Sequence, residues 1–241
     1  MLQRYQHRRG ATRQFAPTHL NPLDRALPHG GLPVGAVTEI FSAAPGTGAS
    51  TLAYRIARAV AGPSRAILVV DTRGDFYPPA AWQLGLAPRQ LLVVRARQAR
   101  SVLWALNQAL RCPAVAAVLA DVDCLTDADS RRLQLAAEAG RTVGLLLRPS
   151  PNSRRSFAAV QMLVEPVPTD DGSNVPLSGT KKRTNAQLRR SRVCRLTLTK
   201  VREGMPASPV MVDLNHETGH VPVLPEPRHR PAASRDRRLS A

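Results

Sequence analysis

The chain has 241 residues, 43% of them hydrophobic, which suits one α/β domain of ordinary size with some loosely packed ends. Its 34 basic side chains stand against 17 acidic ones, a formal charge of +17, and among the basic residues only Lys181, Lys182 and Lys200 are lysines. Cys112, Cys124 and Cys194 are widely spaced and exclude a disulfide framework or a CxxC zinc site, while the longest apolar runs (66–70 and 115–120) are only strand-length and the N-terminus has no apolar signal region, so a soluble cytoplasmic protein is expected.

The charge is concentrated at the ends. Residues 1–25 carry five Arg and one Asp, residues 26–177 carry fifteen basic and eleven acidic side chains, and residues 178–241 carry fourteen basic and five acidic ones. Basic arms on a near-balanced body fit weak, sequence-independent contact with DNA phosphates or binding of an acidic partner; solvated tails are the plainer alternative. A GC-rich genome would account for arginine in place of lysine, but not for the net excess.

From residue 36 to about 164, short β-branched runs alternate with helical segments, the pattern of a parallel sheet with crossover helices. AVTEIF (36–41) reads as the first strand. After a Gly-rich turn, residues 50–62 form a helix with Leu52, Ile56, Ala59 and Val60 on one face. Strands follow at 66–71, ending in Asp71, and at 91–96, with a short helix PPAAWQLG between them. The segment 97–112 spaces Val102, Leu106 and Leu110 for an amphipathic helix. A strand at 115–123 precedes a helix at 127–140 that opens on acidic residues and closes on Gly140, and further strands are expected at 142–148 and 157–165.

Residues 166–191 lose all periodicity and read as a flexible linker. Order returns at 193–201 and 208–215, which can pair as an antiparallel hairpin. The expected organisation is a basic arm (1–22), a core (23–165), the linker, a hairpin completing the core (192–222) and a basic tail (223–241).

The turn between the first strand and helix, residues 41–51, holds the constellation with chemical meaning. A phosphate-binding loop reads GxxxxGK[ST] here: backbone N–H groups cradle the phosphates, the lysine reaches the outer ones and the hydroxyl binds magnesium. With Gly48 as register, the first glycine becomes Ala43, the lysine becomes Ala49 and the hydroxyl is Ser50. Gly46, Gly48, Ser50 and Thr51, with Asp121 at a strand end where a magnesium-holding carboxylate would stand, are the candidate cofactor-binding residues of a degenerate site. A neutral methyl at 49 cannot balance charge on a transferring phosphoryl group. The plain alternative is that the two glycines merely allow a tight turn and Asp121 caps one. Catalytic residues are not expected. Neither is a cofactor, beyond residual ATP and magnesium binding.

The lead-in LDRALPHGGLPVGAVTEI (23–40), the altered loop and VVDTRGDFYPPAAWQLGL (69–86) resemble the corresponding run of the RecA recombinases. The resemblance implies a RecA-like α/β core, a mostly parallel sheet flanked by helices with a C-terminal antiparallel hairpin. Recombinases of that family carry a catalytic glutamate two residues beyond the aspartate that Asp71 matches; here that position is Arg73. In combining this fold with a broken loop and a short hairpin end, the chain resembles the ImuA family, also described as RecA/SulA-like. That resemblance implies a non-hydrolysing accessory protein of SOS-induced translesion synthesis. Its implied partners are an ImuB-like Y-family polymerase homologue and an error-prone C-family DNA polymerase, with RecA itself as a further candidate. Two other functions compete: a divergent DNA-dependent ATPase or recombinase using Arg55 or Arg73 in place of the lysine, and a SulA-like inhibitor of cell division.

Trp82, Trp104, Tyr54 and Phe76 are expected in the core or in shallow packing rather than on a base-stacking surface. His29 and His216 are isolated.

Overall fold

The computed structural model describes residues 13–42, 44, 46–149, 156–167, 191–205, 207–215 and 223–224. A nine-stranded sheet dominates. In chain order its strands are β3 (Val37–Ser42), β4 (Ala66–Asp71), β5 (Leu91–Arg95), β6 (Val115–Asp121), β7 (Val143–Arg148), β8 (Val160–Pro166), β9 (Ser191–Val201), β10 (Val210–Asn215) and β11 (Val223–Leu224). A two-stranded ribbon of β1 (Phe15–Ala16) and β2 (Leu32–Pro33) stands apart from it. In space the strands run β11-β10-β9-β8-β3-β7-β6-β4-β5. The pairings from β8 through β5 are parallel, and those from β8 through β11 are antiparallel.

Parallel strands need crossovers, and the helices supply them. α2 (Ala49–Ala61) follows β3, α3 (Pro78–Gln83) follows β4, α4 (Ala99–Arg111) follows β5 and α5 (Asp127–Gly140) follows β6, while the short α1 (Asn21–Ala26) precedes the sheet. One face of the sheet packs Leu52, Ile56 and Ala57 of α2, Leu23 of α1 and Ala81 of α3 against Ile40, Ile67, Leu145 and Leu196. The other face packs Leu106 and Leu110 of α4 and Leu133 of α5 against Val37, Val118 and Leu146. Strands buried on both faces explain why β6 and β7 are almost uninterrupted apolar runs.

Element identities from the sequence hold, with boundaries unchanged at 66–71 and 127–140 and elsewhere moved by up to three residues. Gly140 does not cap α5 but is its last helical residue, where an added Cβ would meet the carbonyl oxygen of Leu110. Glycine therefore serves the close approach of α5 to α4, and the left-handed cap conformation falls on Arg141 at φ 54°. At the other end Thr126 accepts a hydrogen bond from the Asp129 amide and donates to its carboxylate, fixing the first turn.

The expected arm at 1–22 is structured in its second half: Phe15–Ala16 pairs with β2, and Thr18 and Leu20 are buried. Gly31 permits this, since a side chain there would collide with the backbone of Ala16 and Pro17. Most of the expected linker and tail, and His216, lie outside the described residues. The Trp residues depart from expectation. Trp82 and Trp104 are exposed, whereas Tyr54 and Phe76 do pack together, with ring centroids 6.0 Å apart. His29 is not isolated: it stacks 4.2 Å from Phe15 and lies 3.5 Å from a carboxylate oxygen of Glu203, which also pairs with Arg13.

Candidate functional site

In a parallel sheet the loops at the carboxyl ends of the strands form the ligand-binding edge. That edge here gathers the turn after β3, Asp71 at the end of β4, Asp121 at the end of β6 and Arg148 at the end of β7.

The turn after β3 enters α2 through two left-handed glycines, Gly46 at φ 79° and Gly48 at φ 94°. Ser42 Oγ donates to the carbonyl of Ala44 and lies 2.7 Å from Thr47 Oγ1, so the loop is tied to its own hydroxyls. Thr47, Gly48 and Ala49 are buried, while Gly46 and Ser50 are exposed and Thr51 is half-buried. Ala49, at the lysine position, is packed into the apolar core with Leu52 and Leu214. Leu214 of β10 sits directly against Gly48: a Cβ added to that glycine would overlap the leucine Cδ1. At Gly48, the residue that leads into α2, the turn is thus covered by a leucine side chain, while Gly46 and Ser50 stay exposed.

Across the edge, Asp71 is buried and its Oδ1 accepts a 2.7 Å hydrogen bond from the Gly74 amide, closing the turn after β4. Its Oδ2 has no hydrogen-bond partner, although the exposed Arg95 Nε approaches to 3.6 Å. Arg73 reaches 3.7 Å from Asp123, an exposed pair of small energetic weight. Asp121 is half-buried, and desolvation holds its carboxyl above the ordinary range; Asp75, Asp123 and Asp71 push the same way while Arg73 opposes them. Burial, and then Asp121, Asp71 and Asp75, raise the Tyr54 hydroxyl. Asp71, Asp75, Asp121 and Asp123 thus share this edge with Arg73, which stands where the resemblance to recombinases implies a glutamate. Among the described residues no group of three or more His, Cys, Asp or Glu is arranged to hold a metal ion.

Arg55 does not stand in for the missing lysine. It lies on the second turn of α2, lining a cleft with Gly62 and Pro63 beyond the helix's far end. Arg73 is at the correct edge but is turned toward Asp123.

Sequence reading missed one polar feature. Glu39, within β3, and Arg148, at the end of β7, form a buried ion pair at 2.8 Å, and Gln161 Nε2 donates to the second Glu39 oxygen at 2.6 Å. The guanidinium also lies 5.7 Å from the Phe41 ring centre. A charged residue inside one apolar strand run and another at the end of a second was the available signal.

No family model matches the chain. Two ImuA proteins of Caulobacter vibrioides, from strains NA1000 / CB15N and ATCC 19089, are each 32% identical to it over 140 residues, 56% of this chain and 57% of theirs. The chain thus matches little more than half the length of these curated relatives. The cell division inhibitor SulA of Edwardsiella piscicida is 34% identical over 77 residues, 32% of this chain and 46% of that protein. These relatives bear out the resemblance to the ImuA proteins. Among solved structures, the RadB recombinase superposes with a TM-score of 0.60 over 84% of this chain and 97% of its own, at 15% identity. At that identity the similarity speaks for the fold: a RecA-like, mostly parallel sheet flanked by helices, with antiparallel C-terminal strands. No helix among the described residues is long and apolar enough to cross a membrane.

Proposed function

We propose that this ImuA-like chain is a non-hydrolysing accessory protein of damage-induced translesion synthesis, acting in the cytoplasm by binding polymerase partners rather than by turning over nucleotide. The observation that carries the reading is the packing of Leu214 on Gly48, next in sequence to a buried Ala49. A nucleotide-driven RecA-like protein needs three things at this edge: open backbone amides, a cation for the outer phosphates and a carboxylate to activate water. This chain has a turn whose Gly48 is covered by Leu214, a methyl group at position 49 and Arg73 in their places.

A fold stripped of its nucleotide switch still offers surfaces. The partners we assign are an ImuB-like Y-family polymerase homologue and an error-prone C-family polymerase, with RecA as a further candidate, and weak DNA contact through the basic ends. Two measurements test this. Fluorescent ATP analogue should show no saturable binding to the purified protein with or without magnesium, and the tagged chain should co-purify with at least one of those polymerases from DNA-damaged cells. Saturable ATP binding with DNA-stimulated hydrolysis would replace this reading with that of a divergent ATPase. The partial match to SulA keeps division inhibition as the second reading, favoured if overexpression filaments cells while induced mutagenesis is normal in a deletion strain.

A further inference from the structure

On the side of α2 away from the altered loop, a cleft of about 600 Å³ opens between the C-terminal half of the helix, the 18–20 turn and the segment 85–90. Its charged lining is cationic: Arg55 and Arg58, one turn apart on α2, face it together with His19, and no carboxylate is among its lining residues. Asp24, the nearby acid, is turned to the Thr18 amide and hydroxyl at 2.8 and 2.7 Å. Gln90 is likewise committed, its amide nitrogen donating to the carbonyls of Gly62 and Arg65.

Arg55 makes no ion pair among the described residues, and its Nε and one terminal nitrogen are shielded from solvent without any hydrogen-bond acceptor. Buried guanidinium donors lacking acceptors are costly, and a second guanidinium one turn away adds repulsion. Burial and Arg58 both depress the Arg55 pKa, the reverse of what a counter-ion would do. Arg58 is held flat over Gly85, whose φ of 83° and missing side chain leave the room: an added Cβ would lie 2.8 Å from Arg58 Nε. Glycine there keeps the second guanidinium in the cleft.

We propose that this cleft is an oxyanion site for a phosphate group, with Arg55 and Arg58 as its two charge-assisted donors. Two guanidinium forks match the charge and the multiple acceptor oxygens of a phosphate monoester. The volume admits the group together with the nucleoside or sugar that bears it. The proposal is independent of the polymerase reading, because it concerns the opposite end of α2 from the altered loop.

The test titrates the full chain calorimetrically with inorganic phosphate, and with an oligothymidylate carrying or lacking a 5′-phosphate. Arg55→Gln and Arg58→Gln are compared with Arg111→Gln, which removes the same charge from the exposed end of α4. We expect phosphate binding that weakens about tenfold or more in R55Q and in R58Q and less than about twofold in R111Q. Should R55Q fail to fold, R58Q carries the result, since Arg58 is exposed and its change gives up only the contact over Gly85. Dependence on the 5′-phosphate that vanishes in R58Q identifies a nucleic-acid end as the source; binding of inorganic phosphate alone identifies a small phosphorylated molecule. No phosphate binding, or equal binding in R58Q and R111Q, overturns the proposal.

Discussion

Leu214, near the end of β10, rests a side-chain methyl on Gly48, the residue that caps α2 in a left-handed conformation at φ 94°. The contact joins the antiparallel end of the sheet to the turn that, in a nucleotide-binding relative of this fold, would stay open. Leu214 is 1% exposed, so the contact is part of the core and not a surface brush. Leu214→Ala should lower unfolding free energy by roughly 2–5 kcal/mol, the range for a buried leucine truncation. Gly48→Ala should be destabilising as well, through both the left-handed backbone and the overlap with the leucine methyl. Urea unfolding monitored by far-ultraviolet circular dichroism reads both. A Gly48→Ala protein as stable as the parent would mean that the contact gives way at no cost.

A second consequence concerns repair of the loop. Because Ala49 is only 5% exposed and belongs to the same apolar core cluster as Leu214, Ala49→Lys alone should destabilise the fold without creating an ATP site. Nucleotide binding should first appear when Ala49→Lys is combined with Leu214→Ala, and hydrolysis should require Arg73→Glu in addition. ATP-analogue fluorescence and phosphate release follow the two steps separately. Binding by the single Ala49→Lys variant would show that Leu214 is not what closes the site.

The ion pair of Glu39 and Arg148, 1% and 6% exposed, poses the opposite problem, a charge that must not be left alone. Arg148→Met strands a buried carboxylate that retains only the Gln161 donor, and should cost about 3–5 kcal/mol; Arg148→Met with Glu39→Gln should recover a large part of that loss. A double-mutant cycle in urea measures the recovery. If the double variant is as unstable as the single one, the pair matters for shape and not for charge compensation.

How far these features could be read in advance depends on the type of signal. The parallel core was legible because β6 and β7 are buried on both faces and β4 and α5 are bounded by clear turn and cap residues, so composition and period agree. The loss of the lysine at 49 and the arginine at 73 were visible as positions. That Gly48 would be covered was not, because the covering residue, Leu214, comes much later in the chain, in a strand whose place in the sheet order depends on long-range pairing. Arg55 misled for a related reason: helix residues six apart in sequence project in different directions, and α2 turns Arg55 away from the loop toward the cleft beside Gly62 and Pro63. Trp104 shows the limit of a helical stripe, since Val102, Leu106 and Leu110 define the buried face and leave the tryptophan on the outside.

The raised pKa of Asp121 makes a prediction with a definite sign. Desolvation, with Asp75, Asp123 and Asp71 in support and Arg73 opposing, makes the folded state hold this proton more tightly than the unfolded chain does. Stability therefore falls as pH rises from the ordinary value of 3.8 through the raised one, and the penalty persists at neutral pH. Asp121→Asn should raise the melting temperature at pH 7, with the advantage shrinking as pH falls toward 3.8. Calorimetric melts at pH 7 and near pH 4 decide it. A variant less stable than the parent at pH 7 would mean that the carboxylate has a partner worth more than its desolvation.

The basic ends yield the last expectation. Beyond residue 177 stand fourteen basic side chains against five acidic ones, and ten of those basic residues fall in the segments 178–190 and 226–241, neither of which includes any residue of β9, β10 or β11. If these segments meet DNA phosphates, each contact releases counterions, and the logarithm of the binding constant falls with the logarithm of salt by about 0.7 per phosphate on single strands and about 0.9 on duplex. Binding to random-sequence DNA should be weak, indifferent to sequence and steeply salt-dependent. Deleting both segments should flatten that slope by several contacts while leaving the melting temperature of the core nearly unchanged. Fluorescence anisotropy over a salt series, with the Arg58→Gln protein in parallel, separates the diffuse contribution of the ends from that of the α2 cleft. The tails must carry a change in slope; the cleft carries, at most, one contact at a phosphate end. An unchanged slope after both deletions would mean that the excess charge at the ends is only solvated and that DNA, if bound, is held by the folded body.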